Sequence, residues 1–227
     1  MKLTRVLLSG VAAVAMAGAA QAADLIVDVP TYEPVAVADT GWYLSVFAGA
    51  QWPGIVEADD GNQDLDFSAD AGWLFGAALG AHVTDNLRAE LELSTGSVGL
   101  VDVTSSLGGG AQPITDGSAG ATYLLGNLWF DIDSGSGFTP YIGGGIGAGY
   151  LTAEGTVGGT PFVDLAGWGL AYQLGAGVKV DVADNIALDL GYRWKSIVNA
   201  DVEDNAGNSA TATFGSHVLQ VGLTFGF

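Results

Sequence analysis

The chain has 227 residues, 49% of them hydrophobic and 14% charged, with 36 glycines, 6 Lys and Arg against 25 Asp and Glu, and a formal net charge of −19. One domain is the expectation at this length, a surface of that sign repels nucleic acid, and the lack of cysteine excludes disulfides and thiolate chemistry. A membrane-spanning helix is excluded too: the long charge-free stretch from Ser134 to Ala153 carries seven glycines and Pro140, at a helix cost of about 1 kcal/mol per Gly and about 3 for Pro.

Met1 to Ala22 begins with Lys2 and Arg5, continues as a short alanine-rich apolar core, and ends Ala20-Gln21-Ala22. This is the pattern of a secretory signal peptide cleaved after Ala22. It takes two of the six basic residues, leaving four for the body. Residues 23–40, with Asp24, Asp28, Glu33, Asp39 and two prolines but no period, read as an extended periplasmic linker.

From Gly41 to Phe227 the period is two. Trp42, Leu44, Val46, Ala48, Ala50 and Trp52 share one face of a first strand, and ten residues at about 3.3 Å each and a tilt near 45° climb roughly 23 Å, the height of an outer-membrane apolar band. An acidic loop is expected over Pro53–Asp70. A second strand runs from Trp73 to Val83 into a tight turn at Thr84-Asp85-Asn86, and a third, Leu87 to Ser94, alternates apolar odd with charged or hydroxylic even residues. A Gly/Ser/Thr-rich loop is expected over 95–120, then a fourth strand over 122–131 with Leu124, Leu128 and Phe130 in one phase and Tyr123, Asn127 and Asp131 in the other. The fifth strand, 141–150, carries glycine at every second place after Tyr141, a stripe that leaves room for long side chains and lets a sheet curve. A loop is expected over 152–166, a sixth strand over 168–182, a seventh over 186–195 and a last loop over 196–216. The final strand sets Leu219, Val221, Leu223, Phe225 and Phe227 on one face. Residues 83–91 and 182–190 repeat faintly, each a short turn opening a strand, as hairpin repetition would give.

Short turns near 85, 134 and 184 alternating with long polar segments reproduce the asymmetry of outer-membrane proteins. The fold class expected is all-β, an eight-stranded antiparallel up-and-down transmembrane β-barrel over residues 41–227. Trp42, Trp52, Trp73, Trp168, Tyr192 and Trp194 are the expected aromatic girdles.

Arg88, Lys179, Arg193 and Lys195 are the four basic residues of the body, and all fall on the non-apolar phase of their strands. Facing lipid they would each cost about 2–4 kcal/mol at the midplane. Facing inward they meet Glu90, Glu92, Asn127, Tyr141, Gln173 and Asp189, and these ten residues form the expected lumenal polar network. Such a network serves either as a narrow pore or as a salt-bridged plug. Eight strands leave an interior that side chains fill, which favours the plug. Glu90 and Glu92 share a face without a nucleophile or metal ligand beside them, and Ser216 and His217, being adjacent in a strand, point to opposite faces. His82 falls on an inward phase with no serine two residues away. Asp59 to Asp66 lacks the spacing of a calcium loop. No catalytic, cofactor or metal role is expected.

Gly41-Trp42-Tyr43, Asn86-Leu87-Arg88-Ala89-Glu90-Leu91, Asn127-Leu128-Trp129-Phe130-Asp131, Thr139-Pro140-Tyr141-Ile142-Gly143, residues 172–178, Leu188-Asp189-Leu190-Gly191-Tyr192-Arg193-Trp194 and Phe227 together resemble the small eight-stranded outer-membrane barrels, the OmpA-like transmembrane domain and especially the surface-antigen barrels of alphaproteobacteria. The resemblance spans the whole body. It implies residence in the cell outer membrane of a Gram-negative bacterium, contact with membrane lipid and lipopolysaccharide, and a structural or surface-interaction role with an unidentified extracellular ligand. It also implies that the strand ending in Phe225 and Phe227 is read by the barrel-assembly machinery. The peptidoglycan-binding domain of some relatives is not expected. The enzymatic rival is a lipid A-modifying barrel.

Overall fold

Alternation with a period of two makes strands, and the computed structural model describes residues 41–227 except 136, 159, 204–206 and 208, with the backbone alone at 160–164. The expected leader and linker lie outside the described residues. The strands are β1 (Trp42–Asp59), β2 (Asp64–Ala69), β3 (Gly72–Thr84), β4 (Leu87–Ser105), β5 (Gln112–Asp131), β6 (Phe138–Val157), β7 (Thr160–Ala183), β8 (Ile186–Glu203) and β9 (Ser209–Gly226). All pair antiparallel in one sheet, and β9 returns to β1 over Tyr43↔Gly226 to Asp59↔Thr211. Phe227 N donates to Trp42 O at 3.0 Å, so the seam is bonded to its last residue. Short β2 pairs with the upper ends of β1 and β4 while β3 pairs with their lower ends. The two therefore fill one place in the ring, and the barrel has eight places.

The four long polar loops expected from sequence are mostly wall. β1 continues to Asp59 and β2 lies inside the segment read as the first loop; β4 runs to Ser105, β6 to Val157 and β8 to Glu203. A strand of 18 residues at about 3.3 Å each and a tilt near 45° rises roughly 42 Å, well beyond a ~25 Å apolar band. The asymmetry of the molecule is thus in its wall, which stands clear of the membrane at the end opposite the 85–86 and 184–185 turns.

Why the pattern hid this is visible along β4. In its lower half Leu91 and Leu93 face out and Arg88, Glu92 and Ser94 are buried inside; above, Thr95 and Ser97 face out while Val98 and Leu100 are buried. From Arg88 to Leu100 the parity does not change, but the polarity inverts. Below the boundary the outside is hydrocarbon; above it the outside is water, so apolar side chains must turn inward. The same inversion appears in β2, where Asp66 and Ser68 are exposed and Phe67 and Ala69 pack inward. In β8 a bulge between Ile197 and Ala200, with Asn199 at φ 49°, resets the phase so that Ala200 and Val202 continue the interior begun by Ile197.

Candidate functional site

The barrel interior is built in two layers. The lower one is polar. The Arg88 guanidinium grips Asp131 with two bonds, Nε to Oδ2 at 2.6 Å and Nη2 to Oδ1 at 2.9 Å, and donates from Nη1 to Tyr43 Oη (3.0 Å) and Glu90 Oε1 (3.1 Å). Glu90 also accepts from Tyr43 Oη at 2.8 Å and Trp129 Nε1 at 2.7 Å. Across the lumen Arg193 donates to Tyr141 Oη at 2.8 Å, and Tyr141 donates to Asp189 at 2.7 Å. The Arg193 guanidinium lies 4.2 Å over the Trp129 ring, a cation–π contact that ties the two clusters together.

Above these, Glu92 is the acceptor at the centre of a buried set. It takes Lys195 Nζ at 2.5 Å, Gln173 Nε2 at 2.6 Å, Ser94 Oγ at 2.8 Å and Asn127 Nδ2 at 2.9 Å. Lys195 is 0% exposed and stands 4.8 Å from the Tyr123 ring. Lys179 differs: among the described residues it makes no ion pair, and its ammonium sits 5.3 Å over the Tyr43 ring beside a 450 Å³ vestibule at the turn-bearing mouth, shared with His82, Asp181 and Thr224.

Glycines on the inner face clear space for this packing. A Cβ at Gly80 would lie 2.3 Å from the Tyr43 ring, and one at Gly149 would lie 2.4 Å from Ile197. Between Glu90, Glu92, Asp189 and Arg193 the remaining cavity is about 20 Å³, the size of one water. The upper layer is apolar, a cluster that includes Leu74, Val98, Leu100, Leu125, Leu151, Ile197, Val202 and Phe214.

All ten residues of the sequence-derived network face inward. Nine join by hydrogen bonds, and Lys179 stands apart over Tyr43. The residues the reading missed are Asp131, Tyr43, Trp129 and Ser94. Asp131 was legible, since it shares the phase of Asn127; Trp129 shares it as well. Of the girdle residues, Trp42, Trp52, Trp73, Trp168 and Tyr192 are exposed on the outer face and Trp194 is half-buried. Trp194 packs 4.6 Å from the His217 ring, whose Nδ1 is 2.6 Å from Tyr192 Oη. Ser216 is buried on the other face, donating to Gln51 Oε1 at 3.3 Å, so it and His217 do not meet. His82 is exposed at the lower mouth, with Nδ1 3.3 Å from Gly41 O.

At the upper tip Asp60 accepts from the backbone N–H groups of Asn62 and Gln63 at 2.8 and 3.0 Å. Those bonds, that of Asn62 foremost, hold its carboxyl below the usual aspartate range. Among the described residues no group of three or more His, Asp or Glu side chains converges on a metal position.

A closed antiparallel ring with an apolar outer band, aromatic rims and paired charges inside defines an integral β-barrel of the outer membrane. The outer membrane protein beta-barrel domain family matches residues 9–227, and the chain belongs to that family. It is similar to an uncharacterized protein of Brucella abortus (strain 2308), 32% identical over 213 residues that cover 78% of this chain and 75% of that one. It is also similar to a candidate adhesin of Rickettsia bellii (strain RML369-C), 28% identical over 205 residues, with 81% and 87% covered. In fold it resembles the crystal structure of Neisserial surface protein A, with a TM-score of 0.53 at 17% identity over 83% of this chain and 98% of that one.

Proposed function

We propose that this protein is a non-enzymatic structural and surface-interaction barrel, sealed through its lumen and presenting an acidic wall above the outer leaflet. The observation that carries the reading is the interior itself. Lys195 and Glu92 pair across the ring while four donors converge on the one carboxylate, and the cavity beside them is about 20 Å³. An ion crossing here would have to displace bonded, buried groups, each costly to leave unpaired.

The wall above the membrane exposes Asp59, Asp64, Asp66, Asp70, Asp201 and Glu203, with Lys and Arg turned inward. Surface interaction is supported by the likeness to a candidate adhesin, and the outer face suits an extracellular ligand that tolerates or seeks negative charge. Outer-leaflet lipid and lipopolysaccharide are the surroundings this reading assigns to the band, and assembly by the barrel-assembly machinery is part of it.

Planar-bilayer recording of the refolded protein tests the seal. Silent bilayers are the expected result, in a sample whose gel mobility shifts on boiling; steady conductance steps would replace the plug with a pore. Incubation with lipid A tests the non-enzymatic part: fatty acid released by the parent protein and not by His217→Ala would overturn it.

A further inference from the structure

Among the described residues His217 is the one base on the outer face of the barrel's upper half, since the four Lys and Arg side chains turn inward and His82 stands at the opposite mouth. Register fixes its level. His217 pairs with Trp52 on β1 and with Trp194 on β8, so the ring stands between two tryptophans of the upper girdle, at the depth of lipid headgroups.

Just below it the outer face is hollow. An open depression of about 730 Å³ crosses β7, β8, β9 and β1, lined by Ala176, Leu190, Leu219, Val221, Ala48 and Ala50 among others, with Tyr192 at its upper edge. Ligand sites are commonly about 300–1,000 Å³. Ala50 and Ala48 lie two and four residues below Trp52, roughly 5 and 9 Å down at about 3.3 Å per residue and a tilt near 45°. The depression therefore lies at the depth of the outer leaflet's acyl chains.

One bond joins the hollow to the histidine: Tyr192 Oη lies 2.6 Å from His217 Nδ1. When the hydroxyl donates to Nδ1, the ring proton sits on Nε2, and a protonated ring donates from both nitrogens, so Nε2 offers an N–H in each state. Among the described residues no group bonds Nε2. Gly54 keeps that corner clear. It is the extra residue of the β1 bulge between Pro53 and Ile55, and a Cβ there would stand 3.3 Å from Nε2 and 3.0 Å from the Trp194 ring. Glu57, the next acidic residue along β1, pairs with Thr213, four residues above His217 and roughly 9 Å higher. The acidic wall above repels phosphate, which leaves the level of the ring as the place for one.

We propose that the depression and His217 form a binding site for one lipopolysaccharide molecule, with an acyl chain of its lipid A lying against β8, β9 and β1 and a glucosamine phosphate accepting from His217 Nε2. An apolar hollow at acyl depth beneath an N–H at phosphate depth matches that lipid at both ends, and a bond to phosphate is charge-assisted. The site deepens the reading above, in which lipopolysaccharide surrounds the band, and rests on it.

The test titrates the protein, refolded in detergent micelles, with lipid A bearing both glucosamine phosphates and counts the bound lipid by native mass spectrometry. One lipid A retained per barrel is the expected result. Retention with no preferred number would overturn the site, as would equal retention of lipid A stripped of its phosphates or of phosphatidylglycerol. His217→Phe keeps an aromatic ring beside Trp194 and removes the N–H; it weakens lipid A binding about tenfold, the strength of one charge-assisted bond, whereas His82→Phe at the opposite mouth leaves binding as in the parent. Parental affinity in His217→Phe would overturn the phosphate contact. Ala48→Phe with Ala176→Phe fills the depression and lowers lipid A retention while the boiling-dependent gel shift persists; unchanged retention would overturn the hollow as the acyl site. Bilayer recording of the same samples reports the lumenal seal separately, so a silent barrel that holds no lipid A is told apart from a conducting one that does.

Discussion

Lys195 Nζ lies 2.5 Å from Glu92 Oε1, and the two residues stand on β8 and β4, four places apart in a ring of eight. The pair is a strut across the full width of the barrel. Because both groups are buried, its value is asymmetric: removing one partner strands a charge, whereas removing both charges together leaves little behind.

Lys195→Met therefore lowers unfolding stability by about 3–5 kcal/mol, read as an earlier urea midpoint in vesicles. Adding Glu92→Gln recovers most of the loss, because a glutamine oxygen still accepts from Asn127 and Gln173 while the unpaired charge is gone. A single variant as stable as the parent would show that the strut contributes nothing.

Arg88 holds Asp131 with two parallel bonds and reaches Tyr43 and Glu90 with a third nitrogen. A lysine ammonium keeps the charge but not the fork. Arg88→Lys is expected to cost about 1.5–3 kcal/mol, the value of one charge-assisted bond, in the same unfolding measurement. Unchanged stability would mean that charge alone, without geometry, joins β4 to β5 and β1.

The strands inside the membrane were legible in sequence because lipid outside and polar groups inside give alternation its simplest form. The lower network was legible for the same reason: Arg88, Glu90 and Glu92 sit between Leu87, Ala89, Leu91 and Leu93. The upper wall was not, since Thr95, Gly96, Ser97, Val98 and Gly99 look like a loop until it is known that Val98 points inward. Partners were legible only as a phase. That Glu92 would take Lys195 rather than Arg88 depends on the stagger of strands four places apart, which no local pattern carries.

The inversion sets the height of the membrane, and arginine scanning along β4 measures it. Leu91, 59% exposed on the outer face, lies in the apolar band, so Leu91→Arg costs about 2–4 kcal/mol near the midplane, falling toward 0–1 at the interface. Ser97 faces the same way six residues higher, above the change of polarity, so Ser97→Arg is nearly neutral. Equal costs at the two positions would put the boundary elsewhere.

The glycine stripe of β6 makes the last prediction. A Cβ at Gly147 would stand 2.0 Å from the Leu124 carbonyl oxygen and 3.0 Å from Leu125 Cα, both backbone atoms of β5 that a side-chain rotation cannot move. Gly147→Ala must push the two strands apart, at a cost of about 1–3 kcal/mol. Gly126, on the outer face of β5, is the control: its Cβ would meet nothing closer than the Ile146 carbonyl at 3.9 Å. Gly126→Ala removes unfolded-chain freedom without a clash and gains about 0.4–1 kcal/mol. Urea midpoints moving in opposite directions for the two variants are expected. Movement in the same direction would show that chain entropy, rather than the close approach of β5 and β6, decides what glycine does here.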